Sequence, residues 1–441
     1  MLQYKINYDM SQKSIRGATA AAIAASTEQA VHAGNLLPGS LMPTIRELAA
    51  SLRVSPVTVA AAYRLLQGRG ILASDGRRGT RVRAHPPTPQ PHTALRRVAA
   101  DLVDLANGNP DPELLPPLDH ALRGLDATRP LYGGTPQLGA LMTFAAAEFE
   151  ADGIAGKAVT VTGGALDAVE RILREYLRPG DRVGVEDPTL PALLDLLNAS
   201  GLVPEPIAVD ADGPRPAPFA VALRRARAVV VTPRAQDPTG AVISAGRAHE
   251  LKRLLRQHRG VMLIENDAAG PVAGVAMPTL TDDGHPHWAV TRSTSAFLGP
   301  DLRVALVAGD PLTIARVEGR QSLGTRWVSH LLQQIALALW SDPANGRRLA
   351  RAAAVYAQRR TALVGELTTR QIPALGGSGF NVWVPVREET ATVQALASRG
   401  WAVAPGERFR LNSAPGIRIT TSALVPDAAP RLAADVEWAR H

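Results

Sequence analysis

At 441 residues the chain exceeds what one hydrophobic core usually serves, so two or three domains are expected. With 46% hydrophobic and 20% charged residues it has the composition of a soluble globular protein, and no uninterrupted apolar run of about 20 residues is present to span a bilayer. Cysteine is absent, which excludes disulfides and thiolate metal sites, and the net charge of +8 admits an anionic partner without requiring one.

The first residues, "MLQYKINYDMSQKS", are polar where an export signal would carry its apolar stretch, so a cytoplasmic location is expected, with no membrane partner. Lysine is rare: only Lys5, Lys13, Lys157 and Lys252 are present, and arginine supplies the other basic charge.

Residues 36–82, "LLPGSLMPTIRELAASLRVSPVTVAAAYRLLQGRGILASDGRRGTRV", read as two short helices around a tight turn. Thr44 can cap a helix whose apolar face is Ile45, Leu48, Ala49 and Leu52, and Ser55 with Pro56 opens a second helix through Leu66. The next stretch reads as strand, glycine-bearing turn and strand, a wing tipped with Arg77 and Arg78 and turning at Gly79. On the second helix Ser55, Pro56, Thr58, Ala62 and Arg64 are expected to face outward, short side chains that let a helix sit deep in a major groove. Arg46, Arg64, Arg77, Arg78 and Arg81 are candidates for phosphate contacts. Each arginine alone reads better as ordinary surface; the assembled pattern carries the assignment. It closely resembles the winged helix of the GntR family, and that resemblance implies binding to double-stranded promoter DNA.

Residues 83–94, "RAHPPTPQPHTA", carry four prolines and no apolar period, the mark of an extended, semi-stiff linker. The expected division is a winged helix-turn-helix at 1–82, a linker at 83–101, a large domain at 102–310 and a smaller α+β subdomain at 311–441. In the large domain, apolar runs such as "AVTVTGG", "RAVVVTP" and "VMLIEND" alternate with helical stretches such as "ALDAVERILREYL". That alternation predicts an α/β body with a mostly parallel sheet covered on both faces.

The landmarks "NGNPDPELLP", "LYGGTPQLGALMTFAAAEF", "VTVTGGALDAVERIL", "PRAQDPTGAVIS", "LIENDAAGP" and "STSAFLGPDLRVALVAG" resemble those of fold type I aminotransferases. Winged helix, linker and aminotransferase-like body in this order resemble the MocR subfamily of GntR regulators. The resemblance implies a pocket for pyridoxal phosphate (PLP), but its chemistry is altered. Ala296 stands where a lysine forms the internal aldimine, and a methyl group cannot form an imine. Asn266 takes the place of the carboxylate that keeps the pyridine nitrogen protonated, and the neighbouring Asp267 should point to the opposite face of its strand. Asp237 replaces an asparagine beside the ring phenolate, which a carboxylate would repel. Ala268 and Leu190 replace aromatics.

Other parts match. Arg303 aligns with the arginine that binds the cofactor phosphate, and Gly163, Gly164 and Ala165 place amides at a helix N-terminus suited to an anion. Arg418 aligns with the arginine that pairs with a substrate carboxylate. A structural ion pair is the plain alternative for both arginines. The chain is therefore expected to be a regulator and not an enzyme, with no covalent cofactor and weak noncovalent PLP binding left open. If Arg303 and Arg418 line one cavity, its effector is a small anion carrying a carboxylate. The subfamily resemblance implies a homodimer, domain-swapped and head-to-tail. The rival readings are a PLP-responsive regulator with a lysine-to-alanine substitution and an active aminotransferase, which the missing lysine opposes.

Overall fold

A computed structural model of the chain describes residues 15–83 and 98–440, apart from 33–34, 38, 69, 75–78, 100, 127–129, 155–157 and 283. Arg77, Arg78 and most of the proline-rich segment lie outside the described residues. The chain forms two compact units.

The N-terminal unit holds α1 (Ala20–His32), α2 (Ile45–Leu52), α3 (Pro56–Gly68) and an antiparallel hairpin of β1 (Leu72–Ser74) and β2 (Thr80–Val82). Thr44 and Glu47 start α2 with a reciprocal capping box: the Glu47 amide donates to Thr44 Oγ1 at 3.3 Å and the Thr44 amide to Glu47 Oε2 at 2.8 Å. Arg53 ends it in the left-handed region, φ 57°. Ser55 then opens α3 by accepting from the Thr58 amide at 3.1 Å. The turn is held from inside, where the Tyr63 hydroxyl donates to the Pro43 carbonyl at 2.7 Å. Ile23, Leu48, Val59, Tyr63, Leu66, Leu72 and Val82 form one buried core, to which α1 contributes a third helical face.

The body begins with β3 (Val103–Leu105), α4 (Asp119–Arg123) and α5 (Gly139–Ala151). Strands and helices then alternate: β4 (Ala158–Thr162), α6 (Ala165–Tyr176), β5 (Arg182–Asp187), α7 (Pro191–Ala199), β6 (Val203–Asp210), β7 (Gly213–Pro214), α8 (Pro216–Arg225), β8 (Ala228–Val231), α9 (Ala245–Arg256), β9 (Met262–Asp267), β10 (Trp288–Ser293) and β11 (Ala305–Gly309). They build an eight-stranded sheet in the order β4-β11-β10-β9-β8-β5-β6-β7, in which β5, β8, β9 and β10 are parallel and β11 is antiparallel to both its neighbours. The central strands are buried throughout, as their continuous apolar sequence requires.

The chain continues through α10 (Pro311–Ser322), α11 (His330–Ser341), α12 (Pro343–Thr369), β12 (Asn381–Pro385), α13 (Glu389–Ala397), β13 (Trp401–Pro405), β14 (Gly416–Thr420) and α14 (Ala429–Ala439). A second sheet runs β12-β14-β13-β3. The subdomain limits expected at 102 and 310 are therefore displaced. β3 belongs to the small sheet because Val103 pairs with Trp401 and Leu105 is buried in the small core. At the other limit, the 27-residue α12 serves both cores, with Leu349, Ala352 and Tyr356 in the large one and Leu363 and Leu367 in the small one. The division falls within a helix, not before it.

Candidate functional site

The segments leaving the C-terminal ends of parallel β5, β8, β9 and β10 supply Leu190, Asp237, Ala268 and Ala296 to the wall of one cavity of about 260 Å³. Ligands of open α/β sheets bind at such strand ends. Asn109, Phe380 and Asn381 close the cavity from the small-subdomain side. The Ala296 methyl packs against the large core. Lys252, the only lysine among the described residues, does not line the cavity, so no described lysine there can form an imine with a carbonyl ligand.

Asn266 is buried on β9, where its Oδ1 accepts from Thr291 Oγ1 at 3.2 Å. Asp267 cannot take its place. It accepts from Arg234 Nε and Nη2, both at 2.9 Å, and from Arg292 Nε at 2.7 Å. Burial pushes its carboxyl up, but these two arginines outweigh burial and hold it below the ordinary range.

Asp237 and Arg418 meet each other. Arg418 Nη1 donates to both Asp237 oxygens, at 3.1 and 3.2 Å, and Asn381 Nδ2 donates to the same carboxylate at 3.2 Å. The second amino group of Arg418 donates to the Ala106 carbonyl, and the guanidinium lies 4.9 Å from the Phe409 ring centroid. Neither Arg303 nor Arg418 is among the residues that line this cavity, although Arg418 holds Asp237, which is. Arg418 already holds a carboxylate, supplied by the chain itself.

Arg303 is exposed, in the left-handed region at φ 49°, and makes no hydrogen bond or ion pair with any described residue. Its guanidinium lies against Gly164, the residue that opens α6 at φ 117°; a Cβ there would come within 2.9 Å of Arg303 Nη2. Ala165 is the first residue of α6, and the Gly163 amide donates to Asp167 Oδ2 at 3.0 Å. A cation and a helix N-terminus thus lie together.

Two buried carboxyls escaped the sequence reading. Glu186 on β5 accepts from the Thr232 amide and Gln236 Nε2, and Glu265 on β9 accepts from the Leu280 amide and Thr279 Oγ1. Burial pushes each up to about 7.

In the N-terminal unit, Ser55, Pro56, Arg46 and Arg64 are exposed and Thr58 is half-buried. Ser55 Oγ and Thr58 Oγ1 lie 2.8 Å apart, one hydroxyl donating to the other. Arg46 makes no ion pair or hydrogen bond among the described residues. Gly79 has φ 91°, with Leu41 3.0 Å from where a Cβ would stand, so the wing turns there on glycine. One expectation is corrected: Ala62 is fully buried, since it lies on the same helical face as Val59 and Leu66. Arg81 Nη1 donates to the Gly39 carbonyl at 3.0 Å. Sequence reasoning also passed over Val57, which is 72% exposed at the start of α3.

Residues 19–82 match the family described as bacterial regulatory proteins, gntR family, and residues 100–436 match aminotransferase class I and II. The chain is 39% identical over 435 residues to the vitamin B6 salvage pathway transcriptional repressor PtsJ of Salmonella typhimurium, covering 96% of this chain and 99% of that protein. It is 26% identical over 387 residues to the pyridoxine biosynthesis transcriptional regulator PdxR of Corynebacterium glutamicum, covering 83% of each. Among solved structures, the kynurenine aminotransferase of Pyrococcus horikoshii shares the fold with a TM-score of 0.69 at 21% identity, over 77% of this chain and 92% of that one. No helix among the described residues is long and apolar enough to cross a membrane.

Proposed function

We propose, for a chain that belongs to the MocR subfamily of GntR transcriptional regulators, that its aminotransferase-shaped body works without covalent PLP and without transaminase activity. The protein is a DNA-binding transcriptional regulator with a GntR winged helix joined to an aminotransferase-class body. The observation that carries the proposal is Ala296. It puts a methyl group on the cavity wall where the fold's chemistry needs an amine, and Asn266 and the pair of Asp237 with Arg418 alter the surroundings in the same direction. These residues do not fit a covalently held PLP.

In this reading the winged helix binds promoter DNA through α3, with Ser55, Pro56, Thr58 and Arg64, through Arg46, and through the wing with Arg77, Arg78 and Gly79. The body pairs two chains, head-to-tail with the winged helices exchanged, and the protein acts in the cytoplasm. Its effector is a small anion held at Arg303 and the start of α6. Arg418 is withdrawn from that role because Asp237 engages it. The names of the two regulators above support vitamin B6 supply as the theme of the controlled genes. An effector acts here only by binding one arrangement of the paired bodies more tightly than another.

The test is an absorbance spectrum from about 300 to 500 nm with added PLP, which reads aldimine formation, beside an Ala296→Lys variant. The expected result is free-PLP absorbance alone for the natural chain. An aldimine band in that chain would overturn the proposal; a band in the variant alone would identify Ala296 as the single lesion in an otherwise accepting pocket.

A further inference from the structure

We infer that Val57 reads the methyl group of a thymine in the operator. The inference rests on the DNA-binding reading and adds to it a base-specific contact. Val57 is the second residue of the 13-residue α3, and it is 72% exposed to water. The helix does not need it for packing. Val59, Ala62, Tyr63 and Leu66 form the face buried in the core, and Val57 lies opposite them. Arg64, seven residues on and therefore two turns along the same outward face, is exposed; Ala60 and Ala61 between them are small enough to let a groove approach the backbone.

Beside Val57, Ser55 Oγ accepts from the Thr58 amide and shares one hydrogen bond with Thr58 Oγ1, which leaves the pair a single free hydroxyl proton for a base or phosphate, and Pro56 has no side-chain polar atom. Val57 is the exposed apolar group at this end of the helix. An isopropyl group neither donates nor accepts, so it distinguishes bases only by contact with the one apolar feature of the major-groove edge, the thymine C5-methyl. Arg46 and Arg64 supply positive charge on the same unit, which positions the helix on phosphates without naming a base.

The experiment separates this inference from the reading beneath it. Full-length protein selects duplexes from a randomised pool, and each thymine of the retained duplex is replaced in turn by deoxyuridine, which removes only the methyl group. At one thymine of the site the natural chain is expected to lose about fourfold in affinity, the worth of one buried methyl group, and Val57→Ala is expected to be indifferent to that same replacement. Because Val57 is exposed, the variant should keep the natural thermal unfolding profile, which is measured alongside.

A retained duplex with no sensitive thymine, or a Val57→Ala chain that keeps the natural chain's loss, overturns the inference alone. Failure to retain any duplex overturns the DNA-binding reading and the inference with it. A Val57→Ala chain with a changed oligomeric state and unchanged thymine sensitivity makes the side chain a protein contact and also overturns the inference.

Discussion

Asp237 and Arg418 lie 181 positions apart in sequence and meet as an ion pair that leaves 7% of the arginine side chain and 23% of the aspartate exposed. Removing one partner of such a pair strands the other charge, at a cost of about 3 kcal/mol or more. Asp237→Ala should therefore lower stability in urea at neutral pH by about that amount and leave Arg418 in need of an anion. Succinate should then raise the melting temperature of the variant and not that of the natural chain, by binding only where the site is free. An equal response in both would show that Asp237 does not reserve Arg418. The buried Glu265 gives a prediction of a different kind. Unfolded, its carboxyl ionises near the ordinary 4.5; folded, it keeps its proton up to about 7. The folded state thus binds the extra proton between those values, and stability falls as pH rises through that window. Glu265→Gln should remove this loss, gaining on the natural chain by at most about 3 kcal/mol between pH 5 and pH 8. Unfolding profiles that remain parallel across that range would mean the carboxyl is not the source. Ala296 and Asn266 were legible in the sequence because each departs from a motif at a fixed place. The partnership of Asp237 with Arg418 was not, because only the approach of the two subdomains brings them together.

At the scale of elements, the two helices of the DNA module were readable from local chemistry alone: Thr44 can cap the first, and Ser55 with Pro56 opens the second. Thr44→Ala breaks the box and should cost the winged helix about 1 kcal/mol, read as an earlier unfolding transition with an unchanged body transition. No change would mean that Tyr63 and the core alone hold α2. α1 was harder to read because its alanine-rich sequence, "AAAIAASTEQAVH", shows no sharp apolar stripe, although Ile23, Ala24 and Ala30 are buried. β3 was hidden for another reason. Three residues carry too little pattern to declare a strand, and its pairing is fixed by β13, which lies some 300 positions away. The start of α6 offers a sharper test of the anion corner. Gly164→Ala would place a Cβ 2.9 Å from Arg303 Nη2 and strain a residue at φ 117°. Inorganic phosphate should protect the natural chain against thermal unfolding and protect this variant less. Equal protection would place the anion elsewhere.

For the whole molecule, the proposed pairing of bodies matters because one winged helix neutralises few phosphates. With Arg46, Arg64, Arg77 and Arg78 as its candidate cations, a single module should bind weakly and lose affinity steeply as salt rises. Joining two modules through paired bodies turns the second binding event into an intramolecular one, worth about 10² to 10⁴ in affinity when the span fits. The full chain should therefore bind a duplex with two half-sites at least about a hundredfold more tightly than a duplex with one. The slope of log affinity against log salt should be about twice as steep on the paired site, because twice the phosphates are neutralised. Inserting one full helical turn between the half-sites should cost less than inserting half a turn, which rotates one site to the far face of the duplex. Equal affinity and equal slope on single and paired sites would mean that each winged helix binds alone, and the body would then need another reason to be attached.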